Sequence, residues 1–253
     1  MPLILETIPC LADNYAYLIH DPATGDTALV DAPESAPILA VLAARGWRLG
    51  QILITHHHGD HIDGVADLVA ATGAAMLGAK ADAHRLPPLT RALIPGDKVQ
   101  VGGAVGQVFD VSGHTIGHIA FYFPADNLAF TADSLMAGGC GRLLEGSPDI
   151  MWASLKQLAA LPPETWICSG HEYTTSNLAF AASVDSDNPA LTARIARVAQ
   201  ARAEGRATVP SRLSGELATN PFLRAGVLRA SLGAASDGEA FAMLRQMKND
   251  FRG

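Results

Sequence analysis

The chain has 253 residues and a formal net charge of −7, so its length suggests one large domain, alone or with a smaller one. The acidic balance, without a basic run or stripe to neutralise phosphates, argues against a nucleic-acid enzyme. No stretch approaches the ~18–20 apolar residues of a membrane span, and the N-terminus lacks signal-peptide features, so we expect a cytoplasmic protein without membrane contact.

A dense group of histidines and carboxylates follows the first strongly predicted strand. Residues 50–54 are apolar and rich in β-branched side chains, which predicts a buried strand, and residues 65–71 have helical composition with Gly73 as a stop. Between them lie His56, His58, Asp60 and His61 in the order His-x-His-x-Asp-His. In an extended backbone, side chains two residues apart leave on the same side, so the first two histidines point one way and His57 the other.

Three later strand-like runs also end in residues that can bind metals. The runs 108–111, 128–131 and 165–168 lead into His114, Asp133 and His171, respectively. Strands that end at one edge of a sheet can bring ligands together from distant parts of a chain. The sequence therefore predicts a set of seven ligands.

Seven ligands suit two metal ions. A catalytic zinc-type ion takes three protein ligands and leaves one position for water. We expect His56, His58 and His114 in one site, and Asp60, His61 and His171 in the other. Asp133 has two oxygens and can bridge both. Two ions that share a hydroxide lower the pKa of water, so the pattern predicts hydrolysis, with Asp60 and Asp133 also counted as catalytic.

The composition changes after about residue 175, where strand-like runs end. Asn188 and Pro189 begin a predicted helix that reaches about Ala203, and Ser236 with Glu239 forms a capping box for the last helix. We therefore expect a metal-binding catalytic domain over residues 1–173 and a helical substrate-binding domain over residues 174–253. The three cysteines form no C-x-x-C pair and are expected to be reduced structural thiols.

The motif His-x-His-x-Asp-His resembles the metallo-β-lactamase superfamily, and further motifs resemble the glyoxalase II (hydroxyacylglutathione hydrolase) family within it. These motifs are spread along almost the whole chain: residues 13–18, 55–64, 113–118, 130–133, 139–142, 170–174, 220–224 and 245–251. The resemblance implies an α/β (α+β) fold, a four-layer αββα metallo-β-lactamase sandwich followed by a helical C-terminal domain. It also implies hydrolysis of the thioester S-D-lactoylglutathione to D-lactate and glutathione.

The family's substrate contacts are carried over to matching positions. Arg245 and Lys248 would hold the glycine carboxylate of glutathione from one face of the last helix, Arg142 would contact glutathione largely through its backbone, and Tyr173 through its hydroxyl. The metals are expected to be zinc, with iron or manganese as alternatives, because mixed imidazole and carboxylate ligands suit all three. We expect a monomer that binds a glutathione thioester.

Three positions bear on how closely the chain follows the family pattern. Leu144 stands where the family often has an aromatic residue that contacts glutathione, Ala132 replaces a usual glycine, and Asp63 could orient a ligand histidine.

One alternative to thioester hydrolysis is a glutathione persulfide dioxygenase that uses a single iron on the same fold. A non-enzymatic alternative is a metal- or cofactor-binding interaction module.

Overall fold

A computed structural model describes residues 2–252, which form two compact units. The first unit runs to Val111 and includes Ile116–Ala132, whereas the second comprises Ser112–Thr115 and the chain from Asp133 onward. None of the helices in the part of the chain that the structure describes is both long and apolar enough to cross a membrane.

The first sheet of the first unit has six strands. In spatial order they are β1 (Ile4–Cys10), β2 (Asn14–His20), β3 (Asp26–Val30), β4 (Arg48–Leu53), β5 (Ala75–Ala79) and β6 (Arg91–Leu93). The pairs β1–β2 and β2–β3 are antiparallel, and β3 to β6 run parallel. Parallel neighbours require crossover connections, and here two of these connections contain helices.

The described part of this unit has three α-helices, α1 (Ser35–Arg45), α2 (Gly59–Ile62) and α3 (Val65–Thr72), and a short 3-10 helix over Lys80–Asp82. Ile38 on α1 and Leu68 on α3 are fully buried in one apolar cluster with Ile52 of β4, so these helices cover one face of the sheet. The helix predicted over 65–71 is confirmed. Gly73 ends it with a φ of 70°, a left-handed conformation that glycine adopts without steric cost.

The second sheet of the first unit is antiparallel and contains β7 (Lys98–Val101), β8 (Ala104–Asp110), β9 (Ile119–Phe123) and β10 (Leu128–Ala132). Every residue of β9 and β10 is buried. Tyr17 of the first sheet meets Phe130 of the second edge to face, with ring centroids 5.6 Å apart. The two sheets therefore share an aromatic core.

The second unit is mostly helical. Its elements are β11 (Leu135–Met136), β12 (Gly139–Cys140), α4 (Pro148–Ala159), β13 (Trp166–Ser169), α5 (Thr174–Val184), α6 (Pro189–Ala203), β14 (Ser211–Arg212), α7 (Leu213–Thr219), α8 (Ala225–Leu232) and α9 (Asp237–Asp250). The expectation that strands end near residue 175 is wrong at β14, which pairs with β13. A two-residue strand is too short to produce a periodic pattern.

The predicted starts of α6 and α9 are confirmed by their caps. The Asn188 side chain accepts hydrogen bonds from the first turn of α6, and Ser236 Oγ accepts one from Glu239 N at 3.1 Å. Phe241 of α9 is fully buried, stacked on Trp152 and edge-on to Phe222, with centroids 5.6 and 5.9 Å away. This aromatic cluster fixes α9 against α4.

All three cysteines are buried and free. Burial raises the pKa of Cys10 to about 11 and also raises the pKa of Cys168. Thiolates are the reactive form of cysteine, so these thiols are unreactive at neutral pH, in keeping with a structural role.

Candidate metal centre

The first unit brings the residues of the histidine motif together after β4. His56 Nε2 and His58 Nδ1 lie 3.1 Å apart. His57 turns the other way, and its Nδ1 lies 3.0 Å from Asp82 Oδ2, a carboxylate that also binds Arg85. The expected alternation of the three histidines is confirmed, and His57 has a structural partner.

The spacing of the two ring nitrogens fits a shared ion. Nitrogen ligands at ~2.0–2.1 Å from a tetrahedral zinc lie about 3.3 Å from each other. The 3.1 Å between His56 Nε2 and His58 Nδ1 is close to this value. Imidazole nitrogens and carboxylate oxygens are also the donor set expected for zinc, iron or manganese.

Asp60 and His61 lie on the short helix α2, so a helical turn rather than an irregular loop positions them. Asp60 Oδ2 accepts a hydrogen bond from Asn14 Nδ2 at 3.0 Å and lies 3.9 Å from His61 Nε2. Asn14 also donates to the backbone carbonyl of Asp60. These two bonds fix the direction of the Asp60 carboxylate.

His61 is held by Asp31, a residue that the sequence analysis did not single out. Asp31 Oδ2 lies 2.8 Å from His61 Nδ1 and accepts a hydrogen bond from Thr55 Oγ1 at 2.8 Å, while Oδ1 accepts one from Thr55 N. A histidine bound through one ring nitrogen is oriented to present the other to a metal. Asp31, not Asp63, makes the orienting contact at His61, and an orienting role of Asp63 at another ligand histidine stays a prediction.

A sequence signal for Asp31 did exist. It follows directly after the apolar end of β3, in the same way that Asp133 follows β10. Its φ of 56° is left-handed, a conformation that aspartate tolerates better than most residues. Asp31, His56 and His61 form a buried group whose candidate ligand atoms lie within 4.8 Å of one another.

The second unit brings the other three predicted ligands together. Asp133 Oδ2 lies 3.5 Å from His114 Nε2 and 3.3 Å from His171 Nε2. Each of these two separations is close to that of two ligands sharing an ion, so Asp133 could share one ion with His114 and a second ion with His171. This geometry fits a bridging carboxylate.

The tautomer of His114 follows from its other contact. His114 Nδ1 lies 2.7 Å from the backbone carbonyl oxygen of Arg142. A carbonyl only accepts hydrogen bonds, so Nδ1 carries a proton, and in the neutral ring Nε2 is the nitrogen available to a metal. The same contact places the backbone of Arg142 next to the candidate ligands.

Gly141 permits this close approach. A Cβ atom at this position would lie 1.9 Å from the Asp133 carbonyl oxygen and 3.1 Å from His114 Nδ1. Any side chain would push apart two candidate ligands. The glycine before Arg142 is thus explained by packing around Asp133 and His114.

The predicted substrate residues differ in exposure. Arg142 and Tyr173 are exposed, and the Tyr173 ring is stacked on His171 with centroids 4.7 Å apart. Arg245 is buried, and its guanidinium donates to the Cys140 carbonyl oxygen at 2.9 Å. Lys248 is half-buried and donates to the Ser176 carbonyl oxygen at 3.0 Å. Arg245 therefore also holds the segment that precedes Arg142.

Burial and the nearby positive charge of Arg245 hold the pKa of Lys248 below its ordinary value. Both effects disfavour the protonated amine, and an anion placed between the two cations would oppose them. Asn220, the residue directly after α7, supports the same segment, since its Nδ2 donates to the carbonyl oxygens of Met136 and Gly139.

Comparison with known proteins identifies the family. A model of the metallo-beta-lactamase superfamily matches residues 12–171, and one of the hydroxyacylglutathione hydrolase C-terminus matches residues 172–251. A protein of Cereibacter sphaeroides named hydroxyacylglutathione hydrolase is 60% identical over 99% of this chain and 100% of its own length. The chain belongs to the hydroxyacylglutathione hydrolase family.

Two solved structures are similar to this chain in fold. ETHE1 from Myxococcus xanthus is 26% identical with a TM-score of 0.69, covering 96% of this chain and 90% of that one. TTHA1623 in a di-iron-bound form is 31% identical with a TM-score of 0.58, covering 66% and 91%, respectively. The predicted metallo-β-lactamase fold, helical C-terminal part and metal-dependent hydrolase class are confirmed for this hydroxyacylglutathione hydrolase family member. The domain boundary at residue 173 and the individual ligand roles stay predictions.

Proposed function

We propose that this chain hydrolyses S-D-lactoylglutathione to D-lactate and glutathione with two bound divalent ions. The observation that carries the proposal is the pairing of a metal-ligand set with a C-terminal part matched by the hydroxyacylglutathione hydrolase model. The 60% identity over the full length of a relative with that name supports the substrate.

The proposed centre uses the seven ligands predicted from the sequence. His56, His58 and His114 would hold one ion, Asp60, His61 and His171 the other, and Asp133 both. The short separations of His56 from His58, and of Asp133 from His114 and His171, support these residues as ligands, and the di-iron-bound form of TTHA1623 supports the number of two ions. We propose zinc in both sites, with iron or manganese as alternatives, because the donor set suits all three.

When bound, two divalent ions lower the pKa of water to near neutrality and polarise a thioester carbonyl. The protein's own residues orient the attacking water. Asp60, fixed by Asn14, and Asp133, facing two imidazoles, would align the attacking water at the carbonyl carbon. A thiol with a pKa near 8.5 leaves as thiolate at neutral pH, so no general acid is needed.

Substrate binding is assigned to the second unit. Lys248 and Arg245 would attract the glycine carboxylate, Tyr173 would hydrogen-bond the peptide, and the backbone of Arg142 would contact it beside His114. We also propose that the protein is a monomer located in the cytoplasm.

The test is a thioester hydrolysis assay on the metal-loaded full chain. We expect D-lactate and free thiol to be released in equal amounts from S-D-lactoylglutathione. The lactoyl thioester of N-acetylcysteamine, which lacks the glutathione carboxylates, should give a kcat/KM at least about a hundredfold lower, because charge-assisted bonds are each worth ~1.5–3 kcal/mol. Equal values for both substrates would refute the glutathione assignment.

A persulfide dioxygenase is less well supported. The same preparation should take up no oxygen with glutathione persulfide. Oxygen uptake with release of sulfite, and no thioester hydrolysis, would overturn the proposal in favour of that alternative.

A further inference from the structure

A cavity of about 300 Å³ lies in the second unit, outside the candidate metal centre. Its wall is formed by α6, the chain that follows it and β14. The polar side chains on this wall belong to Arg194, Arg197, Arg206, Thr208, Ser211 and Arg212. Four of the 18 cationic residues of an acidic chain thus line one cavity, and none of its lining residues is acidic.

Two of these arginines are neutralised by carboxylates. Arg194 is buried and forms an ion pair with the fully buried Glu216. Arg206 pairs with Glu204. Arg194 and Arg206 therefore add little net charge to the wall.

The other two arginines have no acidic partner within residues 2–252. Arg197 is exposed on α6 and makes no hydrogen bond or ion pair to the described residues. Arg212 stacks on the Trp166 ring, 3.7 Å from its centroid, and donates to the Glu164 backbone carbonyl oxygen. Stacking fixes the plane of the Arg212 guanidinium, so less side-chain entropy is lost when it binds a ligand. The cavity carries an excess of two positive charges.

We propose that this cavity binds a small organic phosphate. A phosphate monoester carries a charge of about −1.5 to −2 at pH 7, which matches the excess charge of Arg197 and Arg212. Planar guanidinium groups bind phosphate oxygens in a bidentate manner. A volume of about 300 Å³ is at the lower end of small-molecule sites and suits a phosphate with a small organic group.

The sequence pattern alone did not reveal this site. The four arginines are spread over residues 194–212 and form no basic run. They meet because α6 presents Arg194 and Arg197 on one face, and because β14 pairs Arg212 with Trp166 of β13. The proposal is independent of the hydrolase activity, since none of these arginines is assigned to the metal centre or to glutathione.

The test is isothermal titration calorimetry of the metal-loaded full chain in phosphate-free buffer, with two probes, inorganic phosphate and ribose 5-phosphate. We expect one binding event for the ester, weakened by added salt. Tighter binding of ribose 5-phosphate than of inorganic phosphate would support an organic phosphate as ligand. Tighter binding of the inorganic ion would overturn the organic part of the proposal.

Two variants locate the binding site. Arg197→Glu, at an exposed position without partners, should weaken ribose 5-phosphate binding at least about tenfold, and Arg212→Ala by a similar factor. The matched control Arg91→Glu, an exposed arginine of β6, should bind like the parent. An unchanged affinity in Arg197→Glu, or no ester binding by the parent, would overturn the proposal.

Discussion

Asp31 offers a sharp test of how the candidate ligands are positioned. Its carboxylate is buried, with 3% of its surface exposed, and has three contacts of 2.8–2.9 Å to His61 Nδ1 and to the hydroxyl and backbone nitrogen of Thr55. Asp31→Asn keeps the size of the side chain and tolerates the φ of 56°. The substitution therefore changes only the charge of the side chain and replaces one acceptor oxygen with an NH₂ donor.

The magnitude follows from these contacts. The amide introduced by Asp31→Asn can still accept from Thr55 N, but its NH₂ group must then face His61 Nδ1. His61 would have to move its proton to Nε2, the nitrogen expected to bind metal. We expect unfolding free energy to fall by ~1.5–3 kcal/mol for a lost charge-assisted bond, and metal affinity to fall by about 10–100-fold.

The assay combines urea unfolding with metal analysis after dialysis against graded chelator concentrations. Asp63→Asn is the matched control, since Asp63 is exposed and close to the motif but does not hold His61. Asp63→Asn should bind metal with the same affinity as the parent. If Asp31→Asn binds metal as tightly as the parent, the orienting role of Asp31 is refuted.

The remaining predictions concern substrate binding and stability. Arg245→Ala with Lys248→Ala should raise KM by about tenfold or more and change kcat less, because both cations lie away from the breaking bond. The pKa of Lys248 is lowered, and the side chain loses its charge as the pH rises through that pKa. KM should therefore begin to increase at a pH below the usual pKa of lysine. Lys248→Arg should abolish this increase, because arginine stays charged. Leu144 is exposed, and Leu144→Tyr should lower KM by up to about tenfold if the new hydroxyl makes one hydrogen bond to glutathione. Ala132 has a φ of 41°, and Ala132→Gly should raise the unfolding free energy by up to about 1 kcal/mol.

Steady-state kinetics with S-D-lactoylglutathione check the first three, and urea unfolding checks the fourth. Lys156→Ala, a change of another lysine, is the control for the cation variants. An unchanged KM without Arg245 and Lys248 would leave them only structural roles. A KM for Leu144→Tyr no better than the parent's would mean that the pocket has adapted to leucine, and lower stability in Ala132→Gly would refute strain at that position.

Local patterns made much of the fold and site predictable. The spacing of His56 and His58 determines which way their rings point, because it depends only on backbone alternation over three residues. Asp133 and His171 could be selected because each follows an apolar strand. The caps Asn188 and Ser236 identified helix starts for the same local reason.

Features that depend on distant pairing could not be predicted. Arg245 lies far from Cys140 in sequence, and only the folded chain shows that its guanidinium donates to that carbonyl group. Strand β14 exists because Ser211 and Arg212 pair with β13, not because two residues have a strand pattern. Asp31, like Asp133, directly follows an apolar strand, but it lies outside the histidine motif.

The central claim is that the seven ligands hold two ions through a shared Asp133. Metal content per chain, measured together with turnover of S-D-lactoylglutathione in the parent and in Asp133→Ala, tests it most directly. We expect two ions per chain in the parent and at most one in the variant. Turnover should fall about a hundredfold or more, because the charge stabilisation lost is worth several kcal/mol. Two tightly bound ions and normal kcat in Asp133→Ala would rule out the bridging role of Asp133.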